Sequence, residues 1–172
     1  ALGNDPEAVL TLGRILLRFP ERAEAASNEA RAQELLARIY ATGGEGQYPL
    51  SAWMALHLRL LPHFRYTEGF TAQIETLGDY VLKLGSTDLA AKEYRRAVRI
   101  LQEKQEEQGT SREADIFRLH LKLAQAQMRG GQFAEARLTL DQMDPSVAPE
   151  LMQAHQTLLA EALSKLGDKP AL

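Results

Sequence analysis

The chain has 172 residues, with 20 Lys and Arg against 23 Asp and Glu, four His and no Cys. Its length is that of about one ordinary domain, on a scale of roughly 150 residues each. The net charge of −3 argues against binding of nucleic acid through bulk charge, because such domains carry a basic excess. The lack of Cys excludes disulfides, thiolate metal sites and cysteine nucleophiles.

Membrane insertion is not predicted, since no apolar run approaches the roughly 18 residues that a membrane helix needs. No signal peptide is visible at the first residues. Many periplasmic proteins also lack Cys, so the composition leaves the compartment open, with the cytoplasm slightly favoured over the periplasm.

Helix-forming residues dominate the chain, and Gly and Pro interrupt it at intervals. Apolar residues recur every three or four positions, as at Ile74, Leu77 and Val81, and no stretch alternates with period two. The sequence therefore predicts an all-α fold. In chain order, the predicted helices cover residues 5–18, 21–42, 50–61, 68–84, 87–108, 112–130, 132–143 and 148–166.

Glycines stand at similar intervals along these helices, with spacings of 41, 41, 46 and 36 residues. They are Gly3, Gly44, Gly85, Gly131 and Gly167. A Gly that follows a helical run is typical of a left-handed C-terminal cap. Self-similarity at such a period is the signature of a repeat array.

A leucine and a small residue precede four of these glycines at the same distance. The pairs are Leu36-Ala37, Leu77-Gly78, Leu123-Ala124 and Leu159-Ala160. Small residues also follow the turns, at Ala8, Ala90 and Ala136. A small side chain lets a second helix approach closely, so each unit is predicted to be a helical hairpin.

This pattern resembles the tetratricopeptide repeat (TPR), which has a large–small pair in its first helix, a glycine at its turn and a small–aromatic–small series in its second helix. The segment 71–104 matches best, with Ala90, Tyr94 and Ala97 in the second helix. The weakest unit covers 30–62, where Pro49 takes the position of the small residue. A mean step of about 41 residues exceeds the usual ~34 of this family, which predicts lengthened helices.

The resemblance implies a right-handed α-solenoid of antiparallel helical hairpins over residues 1–172. Its predicted divisions are the second half of a repeat at 1–20, hairpins at 21–62, 63–108 and 109–147, and the first helix of a further repeat at 148–172. Because the chain begins with Ala and both of its ends fall within a repeat, it is expected to be a piece of a longer protein.

In this family the concave face comes mostly from the first helix of each repeat. The resemblance therefore implies a groove lined by Arg31, Glu34, Arg38, Glu75, Asp79, Lys83, Arg118, Leu121, Gln125, Met128, Arg129, Glu161 and Lys165. Such a mixed lining suits an extended or helical peptide. The alternative is a set of solvated helix faces with charge pairs four residues apart. Asn occurs only at positions 4 and 28, so the asparagine-based carboxylate clamp of some TPR co-chaperones is not expected.

The leading functional hypothesis is a non-enzymatic scaffold that binds a peptide or a partner protein along this groove, without a cofactor. Two alternatives are a ligand-responsive sensor domain of a bacterial transcription regulator and a TPR scaffold of an envelope or exopolysaccharide export system. Neither nucleic-acid binding nor membrane insertion is expected, and the oligomeric state is left open.

Three other features are interpreted as structural. Lys92, Arg95, Arg96 and Arg99 form a basic cluster that is expected to be a solvated helix face. The aromatic residues of segment 62–70 are expected to pack between repeats. His120 is expected to be a core or interfacial histidine, because no His pair has the spacing of a metal site.

Overall fold

The computed structural model describes residues 3–167, and every regular element among them is helical. This confirms the all-α prediction. The α-helices are α1 (Asp5–Arg18), α2 (Ala25–Gly44), α3 (Leu50–Phe64), α4 (Phe70–Lys83), α5 (Thr87–Gln108), α6 (Glu113–Arg129), α7 (Phe133–Asp141) and α8 (Met152–Lys165). The turn predicted at 1–3 and the second helix predicted to begin after residue 167 lie partly or wholly outside the described residues.

The predicted boundaries are within a few residues of the observed ones except at α2, α3 and α8. Helix α3 continues through Pro62 to Phe64, one turn beyond the prediction. The prediction for α8 began at 148, whereas two 3₁₀ turns, Pro145–Val147 and Pro149–Leu151, come before it. Each turn begins with a proline, which has no N–H to donate and disfavours the helical conformation in the residue before it.

Two of the predicted glycine turns close their helices as expected. Gly85 and Gly131 have φ of +87° and +75°, and in each case the following residue donates its N–H to a carbonyl five residues back. These bonds join Ser86 N to Val81 O and Gln132 N to Gln127 O, each at 2.9 Å. Both turns are therefore Schellman motifs.

The turn predicted at Gly44 is displaced to Gly46. Helix α2 runs through Gly44, and the left-handed residue is Gly46, with φ of +76°. The N–H of Gln47 closes this turn on the carbonyl of Thr42 at 3.2 Å. Three further residues then precede α3, because Pro49 is its N-cap.

The chain divides into two compact units, Ala1–Leu77 and Gly78–Leu172, and the division falls within α4. In the first unit, α1 packs on α2 and α3. An aromatic cluster fills its core, formed by Tyr40, Trp53, His57, Phe64 and Phe70, all of them buried. A hydrogen bond of 2.6 Å joins Tyr40 Oη to His57 Nδ1, so these two buried polar groups satisfy each other.

In the second unit, each helix packs on the next: α5 on α6, α6 on α7, and α7 on α8. Helix α6 also contacts α8 directly. Of the four predicted small residues, Gly78 and Ala124 are buried at helix contacts, whereas Ala37 and Ala160 are exposed, so the prediction was wrong for these two. A Cβ atom added to Gly78 would stand 2.7 Å from Cε1 of Tyr94, so this glycine is what allows α4 and α5 their close approach.

Candidate functional site

A hydrogen-bonded cluster of three side chains joins α4, α5 and α6 on the surface of the second unit. The hydroxyl of Tyr94 donates to Oδ1 of Asp79 at 2.6 Å. Lys122 Nζ lies 2.8 Å from the same oxygen and 2.7 Å from Oδ2. Asp79 and Lys122 are 43 residues apart in the chain, so the cluster joins two of the predicted first helices.

A depression of about 430 Å³ lies at this cluster. Besides the three clustered side chains, it is lined by Leu82, Lys83, Gln125 and Arg129. Four of its seven residues belong to the predicted groove, namely Asp79, Lys83, Gln125 and Arg129. The structure thus brings together predicted residues that are about 50 positions apart in the sequence.

The charge of this depression is positive. Lys122 neutralises the carboxylate of Asp79, while Lys83 and Arg129 are exposed and form no ion pair within residues 3–167. Two cations of the lining are therefore left for an outside group. Since both are solvated, each contact with a bound anion would be worth up to about 1 kcal/mol.

A second depression, of about 490 Å³, continues from Gln125 toward α8. Its other lining residues are Glu150, Gln153, Ala154, Thr157 and Leu158. Gln125 borders both depressions, so the two adjoin along one face of the second unit. This face consists mainly of α4, α6 and α8, and we call it the α4–α6–α8 groove.

The remaining predicted residues of the second unit do not line this groove. Arg118 pairs with Asp115 at 3.5 Å, one turn earlier on α6. Met128 is half-buried, and Glu161 and Lys165 are exposed on α8. None of these four residues lines either depression.

Leu121 requires a correction, because it was expected to offer an apolar contact to a ligand. Its side chain is only 5% exposed and packs with Ala124 and Leu140. Leu151, Leu158 and other partly buried residues of the α8 region cover this cluster. Leu121 therefore belongs to the core between α6, α7 and α8, and it is excluded from the groove.

The predicted groove residues of the first unit lie on α2 and near the start of α4. Arg31 and Glu34 are exposed, and Glu75 is half-buried. Arg38 lies 3.2 Å from Asp5 and 3.2 Å from Glu34. The pair with Glu34 fits the alternative interpretation, in which such residues form charge pairs four residues apart on a solvated face.

Sequence reasoning missed Tyr94 and Lys122 as groove residues. Tyr94 was identified only as the aromatic residue of the repeat pattern, although a phenol can bury its ring and still donate a hydrogen bond to a groove residue. Lys122 stands three residues before Gln125 and seven before Arg129, so helical periodicity places all three on one stripe of α6. That spacing was the available signal.

Two of the three aromatic residues of segment 62–70 are buried. Phe64 and Phe70 are buried in the first unit together with Trp53. Tyr66 is the exception, since it is 44% exposed and stacks with the guanidinium of Arg65.

In the basic cluster of α5, Lys92, Arg95 and Arg99 are exposed as expected. Arg96 lies 3.2 Å from the buried carboxylate of Glu93, so one of the four charges is held by its own helix.

His120 is partly buried on α6, and burial lowers its pKa below the ordinary value. This agrees with the predicted interfacial histidine, although His120 also lines a cavity.

Among residues 3–167, no three His, Asp or Glu side chains lie close enough together to hold a metal ion. Within the same range, no helix is both long and apolar enough to cross a membrane. Comparison with known proteins identifies no relative: no family model, no curated protein and no solved structure matches the chain.

Proposed function

We propose that this chain is a TPR-like solenoid whose α4–α6–α8 groove binds a segment of a partner protein. The observation that carries the proposal is the Asp79–Lys122 pair, because it bridges two alternate helices and lies within the depression to which Lys83 and Arg129 contribute unpaired charge. Peptide segments are commonly recognised by a groove in which a few charged side chains contact the peptide.

The packing of the second unit supports the solenoid part of the proposal. Alternate helices α6 and α8 contact each other, while α7 connects them in the chain. The Schellman turns at Gly85 and Gly131 end α4 and α6 in the same way. Stacked hairpins of this kind leave one row of helices free to form a binding face.

The charge of the groove supports a partner segment that is acidic. Asp79 is already neutralised by Lys122, so Lys83 and Arg129 are left to pair with an aspartate or glutamate of the partner. Glu150 is the carboxylate of the second depression, so the positive charge is concentrated at the first. Leu82 and Leu158 add apolar area at the two depressions. We therefore propose an extended acidic peptide with interspersed leucines as the ligand class.

The experiment compares three ten-residue peptides in which leucine alternates with glutamate, glutamine or lysine. Binding is followed by heteronuclear NMR and by fluorescence anisotropy. The glutamate peptide is expected to bind most tightly and to shift the side-chain amide of Gln125. Reversing both groove charges with Lys83→Glu and Arg129→Glu should lower the affinity for the glutamate peptide by about tenfold or more, because two attractive contacts become repulsive.

The matched control reverses two exposed charges of α5, with Lys92→Glu and Arg95→Glu. This variant has the same net charge as the groove variant, so it accounts for long-range attraction. An equal loss of binding in both variants would contradict the proposal, as would tighter binding of the glutamine peptide.

A further inference from the structure

A cavity of about 320 Å³ lies among α5, α6 and the 3₁₀ turn that follows α7. Its walls are formed by Gln102, Gln105, Glu113, Ile116, Phe117, His120, Gln142, Met143, Asp144 and Val147. None of these residues lines either depression of the α4–α6–α8 groove. The volume is close to the lower end of the range of small-molecule sites, which begins at about 300 Å³.

The lining combines an apolar surface with acceptors of hydrogen bonds. Ile116, Phe117, Met143 and Val147 supply the apolar part, and Phe117 is almost completely buried. The carboxylates of Glu113 and Asp144 supply the charge, and both residues are exposed. The neutral ring of His120 can accept a further hydrogen bond, since burial lowers its pKa below the ordinary value.

Hydrogen bonds hold the two loops that border this cavity in place. Gln105 Oε1 accepts the backbone N–H of Arg112 at 2.7 Å, which ties the turn between α5 and α6. Asp144 Oδ1 accepts the N–H of Ser146 at 2.9 Å, which orients its carboxylate. A ligand would therefore meet walls that are already ordered, which reduces the entropic cost of binding.

Helix ends of both signs border this cavity. Helix α7 ends at Asp141, next to the wall residues Gln142 and Met143, and it has no basic residue in its last turn. Helix α6 begins at the wall residue Glu113, so its partly positive N-terminus borders the cavity as well. The negative charge of the lining therefore comes from the carboxylates of Glu113 and Asp144. The neighbouring guanidinium of Arg112 donates to Gln108 Oε1 at 2.8 Å, and it is not part of the cavity wall.

We infer that this cavity binds an organic cation, a primary amine or guanidinium carried on an aliphatic stem. The stem lies against Phe117 and Met143, and the cationic head lies between the carboxylates of Glu113 and Asp144. An arginine side chain of a partner protein and a free polyamine-like metabolite share this chemistry. The site is independent of the α4–α6–α8 groove, whose charge is of the opposite sign.

The experiment is a calorimetric and NMR titration of the whole chain at pH 7.5. The probes are agmatine as the free cation, N-acetylarginine methylamide as the protein-like source, and N-butylurea as the neutral analogue. Agmatine or the arginine derivative should shift the resonances of Ile116, His120 and Val147, and N-butylurea should not. A response to the arginine derivative alone identifies a protein side chain as the ligand, and a response to agmatine alone identifies a free metabolite.

Two substitutions test the role of the carboxylates. Glu113→Gln and Asp144→Asn should each weaken binding by about two- to fivefold, and together by about tenfold, because both groups are exposed to solvent. The asparagine keeps the oxygen that accepts the Ser146 amide, so the loop is preserved. The control variant, with Glu106→Gln and Glu135→Gln, changes the net charge equally at exposed positions outside the cavity.

The inference is overturned if no cation shifts the cavity resonances at up to about 10 mM, a limit that corresponds to negligible affinity. It is also overturned if N-butylurea binds as tightly as agmatine, or if the control variant loses as much affinity as the double cavity variant. Circular dichroism of each variant confirms that the helices are intact.

Discussion

The contact between Gly43 and Trp53 departs from the repeat pattern that the sequence predicts. Trp53 is the fourth residue of α3, where α5 and α7 have the small residues Ala90 and Ala136. All three are buried. A Cβ on Gly43 would stand 2.5 Å from Cδ2 of Trp53. The glycine on α2 thus makes room for the large ring on α3.

The methyl group added by Gly43→Ala overpacks a buried ring, which costs about 1–3 kcal/mol. The higher helix propensity of alanine offsets about 1 kcal/mol of this, so the expected net destabilisation is up to about 2 kcal/mol. The measurement is the free energy of unfolding from urea denaturation. Gly44→Ala is the matched control, since its Cβ would meet only the methyl group of Thr76, at 3.3 Å. Equal stability of the Gly43→Ala and Gly44→Ala proteins would contradict this account.

The burial of His120 makes stability depend on pH in a defined direction. Its pKa is lowered in the folded protein, and the ordinary value near 6.5 applies to the unfolded chain. The unfolded state therefore binds more protons in this range, so stability rises with pH. The contribution is fully present above about pH 6.5, and it is lost as the pH falls through the lower pKa of the folded protein.

The His120→Gln protein should accordingly lose less free energy of unfolding than the wild type between about pH 7 and pH 5. Above about pH 7.5 the pH dependence of the two proteins should be the same, because the imidazole is then neutral in both states. Urea denaturation at several pH values provides the measurement. The account would be contradicted if the free energy of unfolding of the wild type fell no more steeply with decreasing pH than that of the variant. His120 would then be as solvated in the folded protein as in the unfolded chain.

At the scale of the helices, sequence periodicity predicted every α-helix, whereas the exact turns depended on tertiary packing. The spacing of leucines and small residues identified the turns at Gly85 and Gly131, where the glycine after each helix is left-handed. In segment 43–46 three glycines occur within four residues, so local sequence offers several possible ends. The ring of Trp53 against Gly43 favours continuation of α2 as far as Gly44, and that contact is invisible in the sequence.

The groove was partly predictable for a similar reason. Helical spacing placed Gln125 and Arg129 on the exposed stripe of α6, and both residues are exposed in the structure. Leu121 is four residues before Gln125 and was placed on the same stripe, but α7 and α8 cover it. Contacts with helices that are distant in sequence decide which residues of a helix are covered. The helical periodicity of one segment does not contain this information. The pairing of Lys122 with Asp79 depends on the same distant contacts.

At the scale of the whole molecule, the proposed solenoid predicts that stability varies along the chain. Each hairpin of such an array is stabilised only by its neighbours, so terminal elements open at lower free energy than central ones. Helix α5 buries nine side chains, whereas α8 buries His155 and Ala162.

Amide hydrogen exchange in α8 should therefore be faster than in α5 by about tenfold or more. The substitution Ala162→Gly should speed exchange in α8 further and leave α5 unchanged, since Ala162 is buried on α8, which packs mainly on α7. Equal protection of α5 and α8, with both affected alike by this substitution, would indicate a single cooperative unit and contradict the proposed solenoid.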